Sequence, residues 1–199
     1  MHKLNFFSTS DQTEDYLKKA ILADENQEID KAISHFEKGL DSVTDKTPRR
    51  VRKMILPATI LLAKNYTEKH DYEKALATYR SAINLAKTDT EKMNAYEGAG
   101  KLAYLTGNYE EATSHYLQAL QYGAKKTPKD KILVVHSKIL HELGHVLLDS
   151  HPSLTEEQKQ QADEYRKYLT GQPHSYDLTQ LPYYREIGMD LLNEYQVLT

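Results

Sequence analysis

The sequence contains no cysteine and no tryptophan among its 199 residues. The missing cysteines exclude a disulfide-stapled fold and any cysteine-ligated metal site, and they suit a reducing compartment. Glycine and proline are scarce, with 8 and 6 residues, which excludes a collagen-like or linker-dominated chain. No apolar run approaches the roughly 20 residues of a membrane span, and the N-terminal apolar stretch is too short for a signal peptide. We therefore expect a cytoplasmic protein without a membrane span.

The chain also lacks a strong excess of charge of either sign. It has 26 Lys and Arg residues against 29 Asp and Glu residues, a formal net charge of −3. No overall electrostatic field therefore draws it to nucleic acid or to a membrane surface. Hydrophobic residues make up 39% of the sequence, enough to form a buried core. We expect a folded chain whose partner is a protein or peptide, not a nucleic acid.

Three segments of the sequence repeat one pattern. Each has a turn signal, then an alanine, an aromatic residue four positions later and a small residue three positions after that. Steps of three and four place these residues on one face of a helix, and the alternation of large and small lets a second helix approach closely. The residues are Ala32, Phe36 and Gly39 in the first segment, Ala75, Tyr79 and Ala82 in the second, and Ala112, Tyr116 and Ala119 in the third.

A further amphipathic helix is predicted before each of these segments, at about 12–24, 57–69 and 93–106. A looser fourth pair is predicted at about 130–149 and 155–170. The repeating unit is therefore a helical hairpin, and the last stretch with helical spacing, 181–198, suits a closing helix.

The third segment, Gly107-Asn-Tyr-Glu-Glu-Ala112, with Gly100 before it and Tyr116 after it, resembles the tetratricopeptide repeat. The resemblance covers about residues 11–170. It implies an all-α fold, a right-handed α-solenoid of about four helical hairpins with a C-terminal capping helix. We expect a flexible lead-in at 1–10, repeats at about 11–45, 48–87, 90–124 and 128–170, and a linker and capping helix at 171–199.

The resemblance also implies a function. Stacked hairpins of this family form a concave groove lined by the first helix of each pair. We therefore expect a non-enzymatic protein- or peptide-binding scaffold or adaptor without a cofactor; the sequence leaves its partner and oligomeric state open. The candidate peptide-binding residues lie just beside the packing stripe of the first helices: Ile60, Lys64, Asn94, Glu97, Lys101, Tyr104, Lys138, His141 and His145.

One segment resembles a catalytic motif. His141-Glu-Leu-Gly-His145 is an H-E-x-x-H sequence on a predicted helix, so the two histidines could share a zinc ion while Glu142 activates a bound water. Residues 141–169 resemble the active-site stretch of ImmA/IrrE-type zinc metallopeptidases. That resemblance implies a zinc-dependent hydrolase as an alternative function.

Two observations favour a non-catalytic interpretation of this motif. The family takes its third zinc ligand from acidic residues just before the position of Ala162, where this sequence has Lys159, Gln160 and Gln161. The repeat pattern places Leu143 and Gly144 on the buried stripe, with the histidines beside it. We expect no catalytic residue and no metal; His141 and His145 remain the alternative metal pair.

Two basic stretches, 46–53 and 125–131, each fall between a second helix and the next first helix. Connections of this kind lie on one edge of a solenoid, so the stretches could form a basic rim. A nucleic-acid- or phosphate-binding regulator is therefore a further alternative. A solvated helix start with proline in its first turn is the simpler interpretation.

Overall fold

The computed structural model describes residues 9–150, 155–169, 172–173, 175 and 181–194. All regular secondary structure in this part of the chain is helical, which confirms the predicted all-α class. No helix within these ranges is long and apolar enough to cross a membrane. The chain divides into two compact units, Met1–Leu85 (unit 1) and Ala86–Thr199 (unit 2).

Unit 1 consists of two helical hairpins. Helix α1 (Thr9–Glu25) packs on α2 (Ile29–Asp41), and α3 (Arg49–Glu68) packs on α4 (Tyr72–Leu85), with α2 also against α3. Helix α1 begins inside the stretch for which a flexible lead-in is predicted, and residues 1–8 lie outside the described residues. The start at Thr9 extends the first hairpin by two residues.

The small and large residues of the repeat pattern are buried at the contact between the two helices of each hairpin. In unit 1, Ala32 and Phe36 of α2 have no exposed surface. Gly39 lies on the same face, where a Cβ atom would lie 2.7 Å from a Leu17 methyl carbon. A larger residue at position 39 would therefore displace the buried Leu17 side chain of α1.

The turn between the two helices of a hairpin has the same form three times. Gln27, His70 and Gly107 have φ angles of 60°, 60° and 75°, in the left-handed region. In the third hairpin the amide of Asn108 donates to the carbonyl of Ala103 at 2.9 Å, and the other two hairpins have the equivalent bond. This is the Schellman ending of a helix.

Unit 2 begins with a third hairpin of the same kind. Thr88 caps its first helix with a capping box, since its hydroxyl accepts from the amide of Glu91 and the Glu91 carboxylate accepts from the amide of Thr88. The helices of unit 2 are α5 (Asp89–Leu105), α6 (Tyr109–Ala124), α7 (Ile132–Val135), α8 (Ser137–Asp149), α9 (Glu156–Leu169) and α10 (Leu181–Glu194), with a 3₁₀ turn at Lys129–Lys131 before α7.

Helix α8 packs chiefly along α10, and only lightly on α9. The backbones of α8 and α10 can approach closely because each helix has a glycine at the contact. A Cβ atom on Gly144 would overlap the carbonyl oxygen of Tyr184, and a Cβ atom on Gly188 would overlap the carbonyl oxygen of Leu140. The sequence predicts α8 and α9 as the fourth hairpin and the last helix as a cap. In the structure α10 occupies the position of hairpin partner to α8, and residues 195–199 of the predicted cap lie outside the described residues.

Candidate functional site

A cavity of about 390 Å³ lies within unit 2, between α5, α8, α9 and α10. This volume is in the range of small-ligand sites. Three of the predicted groove residues, Lys101, Lys138 and His141, line it. The full lining is Lys101, Ser137, Lys138, His141, Glu142, Tyr165, Tyr168, Leu169 and Arg185.

Three basic side chains from three helices reach this unit 2 cavity. Lys101 of α5 donates to the carbonyl oxygen of Leu169 at 2.7 Å. Lys138 of α8 forms an ion pair with Glu97, with 2.5 Å between Nζ and Oε1. Arg185 of α10 has a buried Nε atom with no hydrogen-bond partner in the described part of the chain. Arg185, a lining residue of the cavity, therefore has a donor that the described residues leave unsatisfied.

The acidic group of the cavity is Glu142, which is only 3% exposed. Burial raises the pKa of Glu142 to about 7, because Lys138 and Lys101 offset only part of the cost of desolvation. The Tyr116 hydroxyl also lowers this pKa, although its geometry falls short of a well-formed hydrogen bond and leaves Glu142 Oε2 without one among the described residues. Near neutral pH the carboxyl is therefore poised between its donor and acceptor forms.

The two histidines of the motif belong to an aromatic cluster that adjoins the cavity, with His141 in its lining and His145 outside it. His145 has no exposed surface, and its ring stacks between those of Tyr165 and Tyr184, with centroids 3.7 and 3.6 Å away. His141 meets His145 edge-on at 4.8 Å. Burial lowers the pKa of His145, against the opposing effect of Asp149. The stack therefore favours a neutral imidazole.

The geometry provides no complete zinc site in the part of the chain that the structure describes. No group of three His, Asp or Glu side chains in this part is arranged to hold a metal ion. The rings of His141 and His145 are nearly perpendicular, at 83°. Catalytic zinc takes three protein ligands, so the zinc-dependent hydrolase stays a sequence-based alternative without support from these residues.

Two of the predicted groove residues lie in the core instead of on an open face. Tyr104 is 1% exposed, and its hydroxyl donates to the carboxylate of Asp149. Its ring packs against Tyr165 of α9, as does His145. Because α9 covers both side chains, Tyr104 and His145 support the site from beneath and do not line it.

The other predicted groove residues lie at the surface or close to it. Asn94 of α5 is exposed, and Glu97 is half-buried beside the cavity. Ile60 and Lys64 belong to α3 in unit 1, where Lys64 pairs with Glu68 at 3.5 Å. The groove assignment for these residues remains a prediction.

Arg185 and Tyr168 are cavity residues that the sequence analysis did not single out. Arg185 lies in the C-terminal stretch, whose helical spacing is attributed to packing alone. The signal that could have identified Arg185 is its position directly after Tyr184 on the apolar stripe of the helix. A long basic side chain at the edge of a packed face keeps its charged end at the border of the apolar contact.

Unit 1 has a separate groove of about 760 Å³ between α2, α3 and α4. Its walls combine apolar residues such as Leu40 and Leu62 with charged ones such as Glu37. It contains none of the predicted site residues, and its polar groups lack the surplus of cations of the unit 2 cavity.

Both basic stretches engage partners within their own units. In unit 1, Arg50 pairs with Glu14 at 2.9 Å. In unit 2, Lys125 pairs with Asp89 at 3.0 Å and also lies over the ring of Tyr122. Part of the basic charge is thus neutralised locally, and the joint basic rim remains a prediction.

Residues 55–122 match the family model of the tetratricopeptide repeat. Residues 55–122 therefore carry tetratricopeptide repeats, as the sequence predicts, and the all-α helical-repeat fold is confirmed. Repeats of this family generally mediate protein–protein interaction and are generally not enzymes. The match ends before residues 141–169, so it gives no support to the metallopeptidase resemblance. No curated protein and no solved structure matches the chain.

Proposed function

We propose that this chain is a non-enzymatic scaffold or adaptor of the cytoplasm that binds a protein or peptide segment on unit 2. The observation that carries the proposal is the unit 2 cavity, with its charged and aromatic walls, next to a tetratricopeptide hairpin. A rigid helical surface of this kind can make several weak contacts with a partner while losing little conformational entropy on binding.

The accessible rim of the cavity supplies groups suited to a peptide. The Lys138 side chain is 73% exposed, and Tyr168 is 42% exposed. Tyrosine and arginine are enriched in the parts of interfaces that contribute most to affinity, and the cavity lining includes both, as Tyr168 and Arg185. We therefore expect a partner to place one side chain in the cavity and to contact Lys138 and Tyr168 around it.

A displayed library of random peptides, selected on the full-length protein, tests this proposal. Enriched sequences would be synthesised and their Kd values measured by calorimetry. We expect the Lys138→Ala, Tyr168→Ala double variant to weaken binding by about tenfold or more. The matched control is Lys159→Ala, which removes another exposed lysine, paired with Glu156 and outside the cavity lining.

Either of two results would reject the proposal. One is that no peptide sequence enriches over the unselected library. The other is that the double variant, with helicity unchanged by circular dichroism, binds the selected peptides as tightly as the Lys159→Ala control.

A further inference from the structure

We propose that the unit 2 cavity binds a carboxylate group, either of a small free acid or of an acidic side chain in a bound peptide. The second form rests on the proposed function above, whereas the first stands without it. The inference goes beyond peptide binding in general because it names the chemical group that the cavity accepts.

The unsatisfied donor is the first argument. Arg185 lines the cavity, and its guanidinium has a buried Nε atom with no hydrogen-bond partner among the described residues. A buried donor without a partner is costly, and an arginine N–H group fits a carboxylate oxygen in both geometry and charge. A bound carboxylate would satisfy it.

The balance of charge is the second argument. Lys101, Lys138 and Arg185 line or face the cavity, against the carboxyl groups of Glu97 and Glu142. Since Glu142 is about half protonated near neutral pH, the cavity has a net positive charge. A single carboxylate group in the cavity matches this surplus better than a phosphate dianion, whose two charges on one centre the two acidic side chains would repel.

The third argument comes from the neutral form of Glu142. When protonated, its carboxyl can donate a hydrogen bond to a bound carboxylate, and the added negative charge raises its pKa further. Binding should therefore take up a proton and weaken as the pH rises above about 7. The titratable or charged groups that face Glu142 or share its cavity are Glu97 and Lys101 of α5, Tyr116 of α6, Lys138 and His141 of α8, Tyr165 and Tyr168 of α9 and Arg185 of α10.

The apolar part of the lining sets the size of the ligand. Tyr165, Tyr168 and Leu169 provide the wall contributed by α9. A volume of about 390 Å³ accommodates a short aliphatic chain bearing a carboxylate, such as glutarate or a glutamate side chain.

Titration of the full-length protein with glutarate, followed by calorimetry at pH 6, 7 and 8, tests the first form. We expect saturable binding that weakens towards pH 8, with uncharged glutaramide failing to bind. Arg185→Gln should raise Kd by about tenfold or more, as the loss of a charged hydrogen bond does. Arg80→Gln, at an exposed position of α4 in unit 1, is the matched control. Glu142→Gln should bind with the pH dependence removed.

Paired peptides test the second form and separate it from the proposed function. Each selected peptide with an acidic residue would be compared with its Glu→Gln or Asp→Asn counterpart, with the C-terminus amidated. A preference for the acid that Arg185→Gln abolishes supports the inference. Glutarate binding without any peptide binding keeps the inference and rejects the proposed function.

Three results would overturn the inference. One is that glutarate fails to bind and peptides bind equally with or without their acidic residue, in which case the proposed function still stands. Another is that inorganic phosphate binds as tightly as glutarate. The third is that Arg185→Gln, with an unchanged melting temperature, binds glutarate like the Arg80→Gln control.

Discussion

The two units share one kind of hairpin but bury different polar side chains. Within the described residues, unit 1 buries only uncharged polar groups, whereas those that unit 2 buries can all ionise. The buried polar residues are Thr13, Thr47, Thr59, Asn65 and Thr67 in unit 1, and His136, His141, Glu142, His145 and Asp149 in unit 2.

The difference lies in how the buried polar side chains of each unit are satisfied. In unit 1 the hydroxyl groups of Thr59 and Thr67 donate to the carbonyls of Ile55 and Ala63, at 2.8 and 2.9 Å, so local bonds within α3 satisfy them. Buried ionisable groups such as Glu142 cost free energy and concentrate at functional sites. This contrast supports our proposal that unit 2 carries the binding chemistry.

The largest expected effect concerns the contact that distinguishes unit 2. Gly144→Ala places a methyl group on the backbone of α10 at Tyr184. Because neither backbone can yield without parting α8 from α10, we expect a loss of at least about 3 kcal/mol in the free energy of unfolding. Urea denaturation measures it, and hydrogen exchange should show the loss in unit 2 alone.

The control for this prediction is Ser114→Ala, at an exposed position of α6 in the same unit. It should change stability by less than about 0.5 kcal/mol. An equally small effect of Gly144→Ala would contradict the close packing of α8 on α10.

The second prediction concerns pH. Folded Glu142 has a pKa of about 7 against an ordinary 4.5, so the folded chain keeps a proton that the unfolded chain releases in this window. The free energy of unfolding should therefore fall by about 3 kcal/mol as the pH rises from 4.5 to 7. Glu142→Gln should remove this fall, as measured by urea denaturation across the range.

The pH-dependent effect of His145 has the opposite sign. Burial lowers the pKa of His145, so its contribution to stability is lost as the pH falls through 6.5 and below. This effect remains in the Glu142→Gln variant, so the difference from the parent protein isolates Glu142. The control Thr67→Val, in unit 1, should have the same pH profile as the parent protein. If the parent protein, Glu142→Gln and Thr67→Val all have parallel pH profiles, the raised pKa of Glu142 is refuted.

The third prediction compares two buried tyrosines of unit 2. Tyr104→Phe removes the donor to Asp149 and leaves a buried carboxylate without that bond, so we expect a loss of about 2 kcal/mol. Tyr116→Phe is the matched control, because its hydroxyl makes no well-formed hydrogen bond in the described residues. We expect Tyr104→Phe to lose more stability than Tyr116→Phe, which thermal denaturation of both variants measures. A larger loss of stability for Tyr116→Phe would contradict the prediction.

The smallest effect tests what the units share. Gln27 in unit 1 and Gly107 in unit 2 occupy the same left-handed position of the hairpin turn. Gln27→Gly should stabilise the protein by up to about 1 kcal/mol, and Gly107→Ala should destabilise it by about as much. Chemical denaturation of the two variants measures both changes. A loss of stability in Gln27→Gly, or a gain in Gly107→Ala, would show that the two turns differ.

The hairpin pattern could be predicted from sequence because it is local. Steps of three and four mark the buried face of a helix, and Ala112, Tyr116 and Ala119 are all fully buried as that pattern requires. The partner of a helix is not local information. Gly144 marks a close approach, but nothing in its neighbourhood says that α10 and not α9 makes it.

The candidate site could be predicted only in part for the same reason. Lys101, Lys138 and His141 follow from the face of their helices, and they do line the cavity. The burial of Tyr104 and His145 depends on Tyr165 of α9, which reaches them from a different helix. Side chains covered by a later segment of the chain cannot be separated from exposed ones by periodicity alone.

The most direct test of the central claim is to map a selected peptide on the full-length protein by amide chemical-shift changes in NMR spectra. We expect the changes to cluster in the helices around the unit 2 cavity, at positions such as Lys101, Lys138 and Arg185. Changes confined to the unit 1 groove, around Leu40 and Leu62, would contradict it.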